Sequence, residues 1–151
     1  TIVDDRFQLR PDVQDVLALV ADHDAVLDAG YGHLSEVWVL IEEAKRHGID
    51  RILVRDPDRY AGAAPDEIGA LADAGAFIGF TLTDSVDEID RFARYDRVAR
   101  ERLVLHLLPQ ATVRGRLAPA VSFIDRILEG GASENDVRSM VAGAGTELLE
   151  G

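Results

Sequence analysis

Three side chains stand where a strand-end chemistry would need them. His33 and Asp56 each follow a short apolar run, and His106 lies inside a third. His33 sits between Gly32 and the start of an amphipathic segment, which places it at a helix N-terminus. That position disfavours imidazolium, so a neutral ring able to bind a metal ion is available there. The competing reading is a polar loop or capping residue. Asp56, beside Arg55 and before Pro57, suits a metal ligand or a general base, and equally a turn. His106 in Leu103–Leu108 could orient a substrate or polarise its leaving group, or be a core histidine with one satisfied hydrogen bond. Tyr31, Arg55, Thr81 and Arg114 fall at the same edge and are candidate substrate contacts. Thr83 and Asp84 could join them, but helix capping explains both. His23 and His47 fall at helix ends, where a cation suits the dipole, and need no chemistry.

Composition removes several classes. The formal net charge is −12 over 151 residues, which argues against binding nucleic acid through its phosphates. No cysteine is present, so thiolate catalysis and Cys-ligated zinc are excluded. Lys45 is the only lysine and lies inside a helical pattern, away from any strand end, which leaves no place for Schiff-base or P-loop chemistry. Arg91, Arg94, Arg97 and Arg100 recur every three residues with Asp87, Asp90 and Asp96 interleaved, the pattern of a solvated, ion-paired helix face. No run is long enough to span a membrane and no signal peptide opens the chain, so a cytoplasmic protein is expected. The start at Thr1 suggests a processed, trimmed or partial polypeptide.

The positioning elements alternate. After a polar lead-in over residues 1–10, Pro11 opens a helix with Val13, Val16, Leu17 and Val20 in helical spacing. Strands are expected at 25–27, 52–54, 76–82 and 103–108, apolar throughout as strands covered on both faces should be. Helices are expected from Leu34 to the break at Gly48, from Pro65 to Gly75 with Ile68 and Leu71 inward, and around Val86, Ile89 and Phe92. A further one carries Leu117, Val121, Ile124 and Leu128, between polar loops at 58–64 and 110–116. Ser133 and Asp136 form a capping-box pair before a final helical stretch. This is a single α/β domain over residues 1–151 with four parallel strands and right-handed crossovers. Four strands make either half of a TIM-barrel-like (βα)8 fold or a small open flavodoxin-like sheet.

The ordered segments GHLS (32–35), EEAKRHGIDRILVRDP (42–57), PDEIGALADAGAFI (65–78), RERLVLHLLPQ (100–110) and FIDRILEGGASENDVRSMVAGAGTELL (123–149) resemble, together, the C-terminal half of amidohydrolase-type metal-dependent hydrolases, in an uncharacterised TIM-barrel branch. The resemblance implies a half-barrel, a metal-activated water attacking a C–N or C–O bond of a small molecule, and His33 as a metal ligand. Where that family has Thr-His-Pro with a ligand histidine, this chain has Arg55-Asp56-Pro57, so Asp56 takes the place of the ligand or base. Where the family has a late-strand aspartate, this chain has His106-Leu107-Leu108-Pro109, and Arg114 and Arg116 follow at the edge where TIM barrels often hold phosphate. One divalent ion, zinc, manganese or iron, is the implied cofactor. A hydrolytic zinc site takes three protein ligands and an open position, and the chain offers two. The alternative is therefore a non-catalytic or divergent half-barrel subunit that works by pairing with itself or with a complementary chain. A third reading is an independent flavodoxin-like binding or signalling domain.

Overall fold

The computed structural model describes residues 1–82, 88–107 and 118–150, with Leu107, Ala118 and Pro119 as backbone. Helix α1 (Pro11–Asp22) leads into strand β1 (Leu27–Asp28), α2 (Leu34–Arg46) and β2 (Ile52–Arg55). A short α3 (Pro57–Tyr60) precedes α4 (Pro65–Asp73), β3 (Phe77–Leu82) and α5 (Glu88–Ala99). A 3-10 turn then enters β4 (Leu103–Leu107), and α6 (Ala118–Glu129), α7 (Glu134–Arg138), a π-helical stretch (Ser139–Gly143) and α8 (Ala144–Glu150) complete the described chain.

The four strands form one open parallel sheet in the order β1-β2-β3-β4. Neighbours in sequence are neighbours in space, without the order reversal of a doubly wound sheet. Consecutive crossovers of one hand carry every connecting helix to the same side. The core shows this. Leu27, Ile52, Val54, Ile78, Phe80, Leu103 and Leu105 point into one cluster with Leu17 of α1, Ile41 of α2, Leu71 of α4, Phe92 of α5 and Phe123 of α6. Phe80 anchors it, with Phe92, Tyr95 and Phe123 rings at centroid distances of 5.7, 5.2 and 5.9 Å.

The alternate residues face the other way. On this second face Leu53 pairs with Phe77, Arg55 with Gly79, Gly79 in turn with Val104, and Thr81 with His106. Its lower half is covered by α8: Ala144 and Leu148 pack on Phe77 and Val104, with Val26 and Leu53 at the margin. Met140, just before α8, still belongs to the helix-side core. The C-terminal segment therefore passes from one face to the other beside β4, shielding that edge strand. Arg51 ties α8 down through a hydrogen bond to the Leu149 carbonyl at 2.8 Å.

Local chemistry explains most boundaries. Ser133 and Asp136 make the reciprocal capping box, at 3.1 and 3.2 Å. His23 and His47 are the C-caps of α1 and α2. Some expectations are corrected. The first strand is displaced from 25–27 to Leu27–Asp28, because pairing with Ile52 and Leu53 fixes its register. The loop expected over 58–64 begins instead as α3, which Pro57 favours by presetting φ. In α1 Val13, Leu17 and Val20 meet the core as expected but Val16 is exposed; in α6 Ile124 and Leu128 pack against the core, Val121 is exposed, and the buried positions are Phe123 and Ile127.

Candidate functional site

Above α8 the second face is polar. Asp28, Arg55, Thr81 and His106, one from each strand, lie on this face toward the carboxyl ends where parallel sheets bind ligands; Thr81 and His106 are register partners, while Asp28 lies opposite Leu53 and Arg55 opposite Gly79. Arg55 pairs with Asp28, and Asp28 also accepts the Gly30 N–H at 3.0 Å. Burial works against the Arg55 charge, but the Asp28 bond outweighs it and holds the guanidinium above its usual pKa. The guanidinium lies 4.9 Å from the ring centroid of Tyr31, which packs on Tyr60 at 4.8 Å. Both tyrosines are exposed and form the rim of the site.

Gly79 leaves room for the Arg55 stem and the His106 ring, which lie over it from the two neighbouring strands. A Cβ there would come within 3.0 Å of Arg55 Cγ and 3.2 Å of His106 Nε2. His106 is half-buried, its Nε2 lying 3.1 Å from Thr81 Oγ1. Burial first, with help from Arg55, pulls its pKa below the ordinary imidazole value, while Asp56 partly offsets this. A neutral imidazole is the result, suited to accept a proton.

Asp56 follows β2 with φ +40°, a left-handed conformation that aspartate tolerates better than most residues. This turns its carboxylate back into the sheet end, 1% exposed. It accepts the Thr81 N–H at 3.1 Å and the Thr81 hydroxyl, and it pairs with Arg91. Arg91 is the correction that matters most. The arginine spacing on α5 predicts a solvated stripe, yet Arg91 is 5% exposed. Its guanidinium reaches Asp58 through two bonds of 2.8 Å and Glu88 at 3.1 Å, and stacks 4.4 Å from the Phe80 centroid. Burial opposes its charge, but the bonds to Asp58 and Asp56 win and raise its pKa. Asp58 is likewise held below the carboxylate range by Arg91 and Tyr95, against a burial that pushes it up.

His33 stands apart from this cluster. It is the N-cap of α2, with Nδ1 accepting the Ser35 N–H at 3.3 Å and lying 2.8 Å from Ser35 Oγ. Of the two residues expected to hold a metal, Asp56 is engaged by Thr81 and Arg91, while His33 meets Ser35 through Nδ1. Among the described residues no group of three or more His, Cys, Asp or Glu side chains is disposed to hold a metal ion. The described donors do not by themselves complete the three-ligand set that the implied ion takes. The structure brings together Arg55, Asp56, Thr81 and His106, with Tyr31 at the rim, and adds Asp28, Gly79 and Arg91. Arg114, Arg116, Thr83, Asp84, Leu108 and Pro109 lie outside the described residues. Asp28 gave a signal in the sequence, as the first polar residue after an apolar run. Arg91 gave none that separates it from Arg94 or Arg97.

Residues 1–79 match the family model described as a family of unknown function (DUF6282). The chain belongs to that family. The DUF6282 match spans α1 to the middle of β3, taking in Asp28, Tyr31, Arg55, Asp56 and Gly79 of the cluster. No curated protein and no solved structure matches the chain. Among the described residues no helix is long and apolar enough to cross a membrane.

Proposed function

We propose that this DUF6282 protein is a small-molecule hydrolase-type module, acting on a C–N or C–O bond, whose site is the polar upper half of the second sheet face. The observation that carries the reading is that the Arg55 and His106 side chains flank Gly79 on the same open face of the sheet. In this reading His106 takes a proton from the attacking water, and Arg55, one-third exposed, binds an anionic or carbonyl oxygen. Tyr31 and Tyr60 flank the bound molecule. The resemblance to amidohydrolase-type proteins favours hydrolysis over other acid–base chemistry, although a metal-dependent route would require Asp56 to leave Thr81 and Arg91.

Hydrolysis of a panel of small esters, lactones and amides by the purified chain tests this. Activity abolished by His106→Ala and untouched by a chelator or by His33→Ala supports the proposal. Activity lost to chelation and to His33→Ala, with His106→Ala still active, reinstates a metal centre. No turnover of any panel member removes the hydrolase reading.

A second reading rests on the strand order. Consecutive parallel strands with their connecting helices on one side are how neighbouring units of a (βα)8 barrel are arranged, which favours a half-barrel whose upper site is walled by a second copy or a complementary chain. Sedimentation measurements that find a dimer or larger assembly support this, and a monomer at all concentrations refutes self-pairing.

A further inference from the structure

We infer that Asp56 and Thr81 form a relay that fixes the His106 ring with its proton on Nε2, leaving Nδ1 as the basic nitrogen. The consequence for catalysis rests on His106 being the proton acceptor; the relay itself follows from counting protons.

A threonine hydroxyl owns one proton and an ionised carboxylate owns none. Asp56 Oδ1 accepts the Thr81 N–H and faces Arg91, while Oδ2 receives the Thr81 hydroxyl proton. With that proton spent, Thr81 Oγ1 meets His106 Nε2, 3.1 Å away, only as an acceptor. Nε2 must then be the protonated nitrogen. In a neutral ring the lone pair falls to Nδ1, and no described residue hydrogen-bonds that atom. Arg91 is a positioning residue here: buried and held by Asp58 and Glu88, it fixes which Asp56 oxygen faces Thr81. A substrate or water whose proton is to be removed would have to approach Nδ1.

Asp56→Asn makes the decisive experiment. The asparagine oxygen must stay on the side of Arg91 and the Thr81 N–H, since its amide donors would collide with those donors. The amide nitrogen then occupies the Oδ2 position and donates to Thr81 Oγ1. The hydroxyl proton is released toward His106 Nε2, which becomes an acceptor, and the ring proton moves to Nδ1. Nitrogen-15 NMR of the His106 ring in the full chain, above its titration range, reads the tautomer directly. The expected result is an Nε2–H ring in the unaltered protein and in Thr81→Ser, and an Nδ1–H ring in Asp56→Asn. Free imidazole side chains already favour Nε2–H, so the inversion is the deciding result. An unaltered tautomer in Asp56→Asn, or an Nδ1–H ring in the unaltered protein, overturns the relay. Should Asp56→Asn fail to fold, Thr81→Val and Thr81→Ser decide: a tautomer ratio moved by valine and restored by serine supports the relay, and one indifferent to both overturns it. The tautomer pattern without hydrolysis would defeat the proposed activity alone, and His106-dependent hydrolysis with the other tautomer would defeat the relay alone.

Discussion

Replacing Arg91 by methionine keeps an unbranched chain of similar volume under Phe80 but removes the charge that serves three acidic residues. In the native fold the guanidinium holds Asp56, 1% exposed, and Asp58 through two bonds of 2.8 Å, and adds one bond to Glu88, 2% exposed. Glu88 keeps Arg59, whereas Asp56 retains only the Thr81 donors in this part of the network. Removing one partner of a buried ion pair costs about 3–5 kcal/mol, because an uncompensated charge stays behind. At about 2–4 °C per kcal/mol for a chain of this length, Tm falls by about 6–20 °C. The pH dependence has a definite sign. Asp58 is held below its ordinary value in the folded state, so the stability gained through its bond to Arg91 is present above about pH 3.9. It is lost as pH falls through the lower folded value. The gap between the unaltered protein and Arg91→Met is therefore widest near neutrality and narrows in acid. Urea unfolding followed by circular dichroism at pH 7 and near pH 3 measures both quantities. Arg10→Met, which removes an exposed pair with Asp12, should cost less than about 1 kcal/mol and serves as the control. A comparably small loss for Arg91→Met at pH 7 would refute the buried network and return Arg91 to the solvent-facing stripe.

Two further outcomes follow from the same geometry. Alanine at Gly79 meets Arg55 Cγ at 3.0 Å and His106 Nε2 at 3.2 Å, with the Arg55 backbone Cα at 3.3 Å, so a cost of about 1–3 kcal/mol with displaced site residues is expected. At Gly30 the added Cβ meets the Arg55 backbone nitrogen at 2.7 Å, which cannot yield, so Gly30→Ala should destabilise more; equal or reversed costs in urea unfolding would contradict this ordering. Because burial holds the His106 pKa below its ordinary value, the unfolded chain takes up that proton first as acid is added. Relative to His106→Asn, the unaltered protein should lose stability as pH falls from about 6.5 to the folded value and level off below it. A difference curve from pH 5 to 8 that slopes the other way would refute a neutral buried ring.

The strands were legible because each is an apolar run bounded by a Gly, Pro or charge, and Ile52–Arg55, Phe77–Leu82 and Leu103–Leu107 lie within a residue or two of where the sequence puts them. Their order was not, since a fully apolar strand carries no period that says which neighbour it joins. The edge of the site was readable for a related reason: polar residues that end an apolar run, such as Arg55 and Asp56, must emerge at a sheet end. Roles were harder. His33 looks the same in sequence whether it binds a metal or caps a helix, and the structure shows its Nδ1 accepting the Ser35 N–H at the start of α2. Arg91 shows how far a local pattern can mislead. A spacing of three suits a solvated face, but the same spacing sets Glu88 and Arg91 side by side, and a second carboxylate from α3 closes over them. Asp56 bends into the left-handed region to reach that cation. The bend costs backbone strain, of order 1–3 kcal/mol, that only a strong partner sustains. The buried arginine on the helix side and the histidine on the open side are thus joined by one residue of unusual backbone, and the site on the second face depends on charge held behind the first.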